Sequence, residues 1–178
     1  ALDPPAAISS AATAMSLSLF LVQNIDLAKK VPPSPDPSGI TYLSSINRLL
    51  ISDGEVDEIT NLFTGNNLYE MTLTGELTHV ATTLPYSFEP TGVDENPANG
   101  HVFIADDDRK RVFELAAGPD TRFGTSDDVI TSFSTTPFES YDPEGLAFNN
   151  TTGELYIIDG VNNEVYTVNP GANGRFDG

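Results

Sequence analysis

The sequence predicts an all-β fold, a β-propeller with four-stranded antiparallel blades, from three observations. Pro-x-Gly-aliphatic steps begin at Pro37, Pro90 and Pro143, at a spacing of 53 residues. Each repeat contains short apolar segments separated by turns rich in glycine and asparagine, a pattern typical of short strands. Four such segments of decreasing hydrophobicity per repeat indicate a propeller blade. A unit of this size cannot bury its apolar faces alone and has to stack on its neighbours.

The four strands of a repeat can be placed from the apolar pattern. The second is a nearly continuous aliphatic run, which favours burial on both faces, and the third alternates apolar and polar residues. The turns at Gly100 and Gly153 supply the positive φ angles of tight hairpins between first and second strands. The expected ranges are 39–43, 92–95 and 145–148 for the first strand, 48–53, 101–106 and 154–159 for the second, 67–71, 111–115 and 164–168 for the third, and 77–83 and 129–133 for the fourth.

The repeats divide the chain into an extension and an incomplete propeller. Residues 1–16, rich in Ala, Ser and Pro, are expected to form a flexible extension, and 17–31 a closing strand that belongs to another blade. The incomplete propeller, 17–178, then consists of that strand and three blades: blade 1 over 37–89, blade 2 over 90–142 and part of blade 3 over 143–178. Propellers close with about four to eight blades. We therefore hypothesise that a longer chain or a second chain completes the ring.

Composition narrows the classes of partner. Eight Lys and Arg residues stand against twenty-six Asp and Glu residues, a net charge of −18. Nucleic acids and anionic membrane surfaces bind positive footprints, which this chain lacks, and its longest apolar run is too short for a membrane helix. Divalent cations are natural counter-ions for clustered carboxylates. The sequence contains no cysteine, which excludes disulfides and thiolate metal sites.

Carboxylates recur at the edge of each blade where the first strand begins and the second ends. The inner set, Asp36, Glu89 and Asp142, precedes each Pro-x-Gly step. A ring of carboxylates suits a hard cation, which takes about six to eight oxygen ligands. The outer acids end the second strands: Asp53, Asp106 and Asp159, with Asp107 and Asp108 added in blade 2 and Glu55, Asp57 and Glu58 in blade 1. For both sets the alternative is an ordinary turn residue that caps loop amides.

A second candidate cation site lies on the opposite face, in the loop 118–128. Asp120, Asp127 and Asp128 are spaced along this glycine-containing loop, and 171–178 repeats part of it. Oxygens in this arrangement can wrap a calcium ion together with backbone carbonyls, although the spacing is not that of an EF-hand. The alternative is a long hairpin held by Asx turns.

Catalytic motifs are scarce. The sequence has no Gly-x-Ser-x-Gly elbow, phosphate-binding loop, HExxH or dinucleotide fingerprint, and His79 and His101 are expected on sheet surfaces rather than as bases. Glu144 departs from the repeat, since a Ser and a Thr occupy the equivalent positions. A residue that breaks a repeat marks a place for a grafted site. Glu144 and Asp142 are therefore the candidate catalytic residues if the protein is an enzyme.

The repeat resembles a known family. Residues 90–93 (Pro-Thr-Gly-Val), 100–106 (Gly-His-Val-Phe-Ile-Ala-Asp) and 111–113 (Arg-Val-Phe) closely resemble the NHL repeat. The stretches 34–40 and 49–58 look like the SdiA-regulated propeller family, a relative of calcium-dependent phytase-like and esterase-like propellers. The resemblance covers 17–178 and implies six blades, an extracytoplasmic location and calcium.

Two functions are expected from these features. The first is a secreted or surface propeller, extracellular or periplasmic, that calcium stabilises and that acts as a binding or assembly scaffold. The alternative is a calcium-dependent hydrolase of the phytase, esterase or lactonase type. Phytase-like propellers gather basic residues beside their calcium, whereas 109–111 is the one basic cluster here, which disfavours phosphate-ester hydrolysis. The open blade edges of an incomplete ring further predict a protein partner or self-association. From the charge and the short apolar runs, no nucleic-acid partner and no membrane span are expected.

Overall fold

The fold consists of β-strands joined by turns. The computed structural model describes residues 20–54, 59 and 61–177. Over these residues the strands are β1 (Pro37–Leu43), β2 (Arg48–Asp53), β3 (Leu68–Met71), β4 (Leu77–Ala81), β5 (Pro90–Asn96), β6 (His101–Asp106), β7 (Arg111–Ala116), β8 (Val129–Ser134), β9 (Pro143–Asn149), β10 (Glu154–Asp159) and β11 (Glu164–Val168). The helical elements of these residues are two short 3₁₀ turns, and neither could span a membrane.

The strands form three antiparallel sheets in which each strand pairs with the next along the chain. Blade 1 contains β1 to β4, blade 2 contains β5 to β8, and blade 3 contains β9 to β11. The expected all-β fold of four-stranded antiparallel blades is confirmed, and every expected strand of the three blades forms. Blade 3 has three strands within the described residues, and the outer edge of β11 pairs with no strand among them.

Local turn chemistry sets the register of the inner hairpins. Gly100 and Gly153 take φ angles of 73° and 77°, as expected for these two turns. Asn47 takes φ 55° in the corresponding turn of blade 1. Glycine adopts such angles without steric cost and asparagine tolerates them, so these residues allow each first strand to fold back on the second.

Successive blades pack face to face. We call the side of a blade that contacts the next blade its leading face, and the opposite side its trailing face. The leading face of blade 1 and the trailing face of blade 2 form one apolar cluster, with Leu50, Leu68, Val102, Ile104 and Phe113. The leading face of blade 2 and the trailing face of blade 3 form a second, with Phe103, Val112, Leu155, Ile157 and Phe176. Strand β6 supplies side chains to both clusters, which explains its continuous apolar sequence.

The first strands of the blades approach one another closely. Asp94 on β5 links all three, because its Oδ1 accepts a hydrogen bond from Thr41 Oγ1 at 3.0 Å and its Oδ2 accepts one from the Phe148 amide at 2.7 Å. A Cβ atom at Gly92 would overlap the carbonyl oxygen of Glu144 in β9. The glycine of the Pro-x-Gly step is therefore required where two first strands are too close for a side chain.

The N-terminal segment differs from the sequence expectation. Residues 1–16 and the start of the expected closing strand 17–31 lie outside the described residues, and 20–31 forms a 3₁₀ turn, Leu27–Lys29, but no strand. A strand needs a neighbour to satisfy its backbone, and no third strand of another blade lies beside this segment among the described residues. Instead Ile25 and Leu27 pack on the trailing face of blade 1, against a cluster that contains Ile51 and Tyr69.

Candidate functional site

The outer carboxylates act as buried caps, the alternative that the sequence left open. Asp159 is 1% exposed and closes blade 3 by joining the turn after β10 to the segment before β9. It accepts five hydrogen bonds, from Ser140 Oγ at 2.8 Å and from the amides of Tyr141 at 2.8 Å, Asp142 at 3.0 Å, Val161 at 3.0 Å and Asn162 at 2.6 Å. These bonds fix the backbone on which the inner acid Asp142 stands.

The equivalent caps of blades 1 and 2 repeat this arrangement with fewer donors among the described residues. Asp106 accepts hydrogen bonds from the Phe88 amide at 2.9 Å and the Arg109 amide at 2.7 Å. Asp53 accepts one from the Asp36 amide at 3.1 Å and one from Ser34 Oγ. All three carboxylates are thus occupied in holding the entry to a first strand.

The caps differ in their protonation. Burial disfavours the charged form of Asp159, but its hydrogen bonds outweigh this and lower its pKa to about 2. Burial raises the pKa of Asp53 to about 6, because the bonds from Ser34 and Asp36 compensate only in part and the charge of Asp36 adds to the rise. The same position in the repeat therefore carries a stable anion in one blade and a costly one in another.

Three carboxylates gather between blades 2 and 3, at the edge where the caps lie. Asp107 directly follows the cap Asp106, Asp142 precedes β9, and Glu144 lies on β9. Each of the three offers an oxygen atom, and these atoms all lie within 4.8 Å of one another. Among the described residues this is the one set of three acids or histidines close enough to share an ion, and all three are half-buried. We call this set the acid triad.

Two departures from the repeat create the acid triad. Asp107 stands where the other blades have Gly54 and Gly160, and Glu144 stands where they have a Ser and a Thr. In blade 3 a Cβ atom at Gly160 would lie 2.5 Å from Oδ2 of Asp142, so a side chain there would displace that carboxylate. The grafted acids of blades 2 and 3 consequently meet across the boundary between the two blades.

The inner acids of blades 1 and 2 lie beside the acid triad. A small cavity of about 130 Å³ is lined by Asp36, Ser38, Gly54, Glu89, Thr91, Asp107 and Glu144. Burial raises the pKa of Asp107, and the negative charges of Asp142 and Asp108 raise it further. A hydrogen bond with the Glu89 side chain acts in the opposite direction. Four of the acids singled out from the sequence, Asp36, Glu89, Asp142 and Glu144, are thus brought to one side of the molecule.

The chemistry of this donor set fits a hard divalent cation. Carboxylate oxygens are the ligands that calcium, magnesium and manganese prefer, and they arrive here from separate chain segments. Asp107, Asp142 and Glu144 could hold the ion directly. Glu89 and Asp36 are close enough to the cavity to complete the shell through water. Without a cation, burial and the negative charges of Asp142 and Asp108 raise the pKa of Asp107 and so favour its protonated form.

The other predicted cation ligands lie apart, in the loop 118–128. Asp128 Oδ2 accepts hydrogen bonds from the Gly124 amide at 2.7 Å and the Thr125 amide at 3.2 Å. Asp127 accepts one from Thr125 Oγ1 at 2.5 Å, which lowers its pKa, and Asp120 accepts one from the Arg122 amide at 2.9 Å. The Asp120 contact is that of an Asx turn, the alternative that the sequence offered for this loop, and Asp127 and Asp128 instead accept from residues that precede them.

Buried aromatic side chains anchor this loop and its echo near the C-terminus. Phe123 and Phe176, 53 residues apart, are each 4% exposed and belong to the two clusters between blades. His101 Nδ1 lies 2.6 Å from Glu114 Oε1, whose Oε2 accepts a hydrogen bond from the Phe176 amide at 3.1 Å. His79 Nε2 lies 3.2 Å from the Phe123 carbonyl oxygen. His79 therefore contacts one of these loops directly, and His101 is linked to the other through Glu114.

Comparison with known proteins identifies the architecture. No protein-family model matches the chain, and no curated protein matches it. A chain in the crystal structure of a nidogen/laminin complex matches with a TM-score of 0.55 and 15% identity, over 80% of this chain and 47% of that one. The protein is a partial β-propeller. Selenomethionine-substituted virginiamycin B lyase from Staphylococcus aureus matches with a TM-score of 0.47 and 14% identity, over 78% of the propeller chain and 42% of the lyase. The propeller spans about half the length of the first of these structures.

Sequence reasoning singled out Asp142 and Glu144 of the propeller but left Asp107 among the outer acids. The signal that identifies Asp107 was present, since it replaces a glycine of the other two blades. The rule that selected Glu144, a departure from the repeat, selects Asp107 as well. That the two departures meet depends on how blades pack, which the spacing of the motifs does not reveal.

Proposed function

We propose that this protein is a calcium-stabilised β-propeller that acts as a binding or assembly scaffold, completed by a further part of a longer chain or by a partner chain. The observation that carries the proposal is the state of blade 3. Its leading face and the edge of β11 contact no other blade among the described residues, and Ile158 and Val165 are 52% and 65% exposed. Exposed apolar strands with a free edge are surfaces that other chains bind.

Calcium is the proposed ligand of the acid triad. Its three carboxylates repel one another and come from two blades, so a bound cation would both neutralise the charge and tie blade 2 to blade 3. The NHL-like and SdiA-regulated resemblance of the repeats supports this assignment and favours a secreted, extracellular or periplasmic location. Calcium outside the cytoplasm is abundant enough for sites of modest affinity.

Thermal unfolding with and without calcium tests the proposal. We expect calcium to raise the melting temperature, and the Asp107→Asn and Glu144→Gln variants to lose most of that rise because each removes a ligand charge. Asp127→Asn is the matched control, since it removes one negative charge from the other candidate site. A melting temperature that calcium leaves unchanged would refute the calcium part. A rise in melting temperature that is lost only in Asp127→Asn would assign the calcium ion to the loop 118–128.

A calcium-dependent hydrolase is the second candidate, and the half-buried acid triad favours it. A cation held by Asp142 could polarise an ester or lactone carbonyl, with Glu144 beside it as a general base. Assays with aryl esters, lactones and phosphate esters, with and without calcium, separate the two functions. Calcium-dependent turnover that Glu144→Gln abolishes supports the enzyme. Calcium binding without any turnover supports the scaffold.

A further inference from the structure

We infer that the open leading face of blade 3 binds the trailing face of blade 1 of a second copy of this chain, so that two copies close a six-bladed ring. The inference rests on the proposed scaffold function and names its partner. Two copies with three blades each give a number of blades within the range of about four to eight in which propellers close. Each junction joins a leading face to a trailing face, and the ring contains two identical junctions.

The leading face of blade 3 has the side-chain positions of an interface between blades. Val165 corresponds to Leu68 in blade 1 and Val112 in blade 2, which are 1% and 0% exposed because the next blade covers them. Ile158 corresponds to Ser52 and Ala105, both fully buried at 0%. In blade 3 the same positions are 65% and 52% exposed. Burying two aliphatic side chains of this size contributes a few kcal/mol, at about 25 cal/mol per Å².

The trailing face of blade 1 is the complementary surface. Its inner half is open, with Ile40 62% and Tyr42 47% exposed, whereas the equivalent residues of blade 2, Val93 and Glu95, are 5% and 6% exposed. Most outward-facing strand residues of the two open faces are uncharged, and the exception on blade 3 is Glu154 at the start of β10. The uncharged ones include Ala147, Tyr156, Ile158, Val165 and Thr167 in blade 3, and Ile40, Tyr42, Leu49, Ile51, Tyr69 and Met71 in blade 1. Glu154 accepts hydrogen bonds from Thr152 Oγ1 at 2.6 Å and Tyr156 Oη at 3.1 Å, so contact between the two faces would bury no carboxylate without a hydrogen-bond partner.

The N-terminal segment lies where one strand of the proposed junction between two copies would lie. Leu27 packs in the trailing-face cluster of blade 1, as Phe133 of the fourth strand β8 packs in the trailing-face cluster of blade 3. The segment thus stands where the fourth strand of a preceding blade would stand. Blade 3 has three strands among the described residues and a free edge on β11. A second copy that docks there supplies the third strand beside the segment, and the segment supplies the fourth strand to β11.

The open space beside Gly145 indicates that the first strand of another blade packs against β9. At the equivalent glycine of blade 2, Gly92, a Cβ atom would overlap the backbone of the next blade. At Gly145 a Cβ atom would meet only Ile158, at 3.3 Å from the flexible end of that side chain. Packing within one chain therefore does not require a glycine at position 145. In the ring it would face β1 of the second copy as closely as Gly92 faces β9.

Sedimentation velocity and light scattering on the 178-residue chain, from low micromolar to near-millimolar concentration, test the inference. We expect a species with twice the 19.1 kDa mass of one chain. Because each chain carries a net charge of −18, the dimer should strengthen as salt screens the repulsion. Gly145→Ala and Ile158→Asp should each raise the dissociation constant about tenfold or more. Val129→Asp is the matched control, since Val129 is 55% exposed on blade 2, away from both open faces.

The outcomes separate this inference from the proposed function. One-chain mass at every concentration, open-ended polymers, or a dimer that Gly145→Ala and Ile158→Asp leave intact would each overturn the two-copy ring. Circular dichroism of the isolated variant monomers checks that both substitutions leave the fold unchanged. The effect of calcium on the melting temperature is measured on monomeric Ile158→Asp. A calcium shift without a dimer refutes only the ring, and a dimer without a calcium shift refutes only the calcium scaffold.

Discussion

At the scale of single residues, one repeated carboxylate has opposite energetic effects in two blades. Asp159 has five donors directed at its two oxygens and a pKa of about 2, so its charge stabilises the folded state. Asp53 is equally buried but has a pKa of about 6, so its charge opposes folding at neutral pH. The hydrogen bonds of Asp159 together outweigh the effect of its burial, whereas at Asp53 burial outweighs the hydrogen bonds.

We predict that Asp53→Asn removes a pH dependence. Because the folded pKa of about 6 exceeds the unfolded value of 3.8, the stability from this group is complete below pH 3.8 and is lost as the pH rises through 6. The loss between pH 5 and pH 8 is about 1 kcal/mol. Urea unfolding of the wild type and the variant at both pH values should show that this loss disappears. An unchanged pH dependence would mean that Asp53 is ionised without penalty.

We predict that Asp159→Asn is strongly destabilising. Both carboxylate oxygens accept backbone amides, so in either orientation the amide NH₂ of asparagine would face an N–H donor. The cost should be about 3 kcal/mol, since a charge-assisted bond is lost and a buried donor is left unpaired. Urea unfolding at neutral pH measures it, and Asp53→Asn is the matched control. Equal effects of the two substitutions would contradict the role of the donors.

At the scale of strands and blades, the sequence predicted what local chemistry determines. The hairpins at Gly100 and Gly153 form because the turn residues and the flanking apolar runs require them. The closing strand expected from the sequence does not form over 20–31, because an isolated strand has no partner for its backbone groups. The acid triad was predicted in part, since Asp142 and Glu144 follow from the repeat, whereas their contact with Asp107 depends on packing between blades.

We predict that the same substitution at one repeat position has different costs in blades 2 and 3. Val112→Ala removes two methyl groups from the second cluster and should cost about 2 kcal/mol, because Val112 is 0% exposed. Val165→Ala should cost less than about 0.5 kcal/mol in the monomer, because Val165 is 65% exposed. Urea unfolding at low protein concentration compares them. Similar costs would mean that Val165 is buried in solution.

At the scale of the whole molecule, negative charge and incomplete closure combine. The chain has a net charge of −18, and the acid triad concentrates part of it at the boundary between blades 2 and 3. Self-repulsion of this kind keeps a protein soluble but opposes the compact state. A cation between the blades would relieve the repulsion where it is strongest. Calcium and the junctions between blades would then stabilise the same assembly.

We predict that the stabilisation by calcium increases with pH. The raised pKa of Asp107 means that a proton relieves the repulsion at low pH, and that this contribution is lost as the pH rises through the folded pKa. Calcium replaces the proton, so the rise in melting temperature should be larger at pH 8 than at pH 5. With calcium at about a hundred times its dissociation constant, the gain at pH 8 should be about 3 kcal/mol. Asp107→Asn should remove most of the pH dependence of this gain.

The double burial of β6 also has a consequence for the order in which the molecule opens. Val102, Phe103, Ile104 and Ala105 are all 0% exposed, since blade 2 has a blade on each side. Amide protons of β6 should therefore exchange with deuterium only on global unfolding, whereas those of β11 exchange through local fraying. Any force or protease that acts on the chain would reach blade 3 first. Opening from the flank inward would leave the central sheet as the last folded remnant.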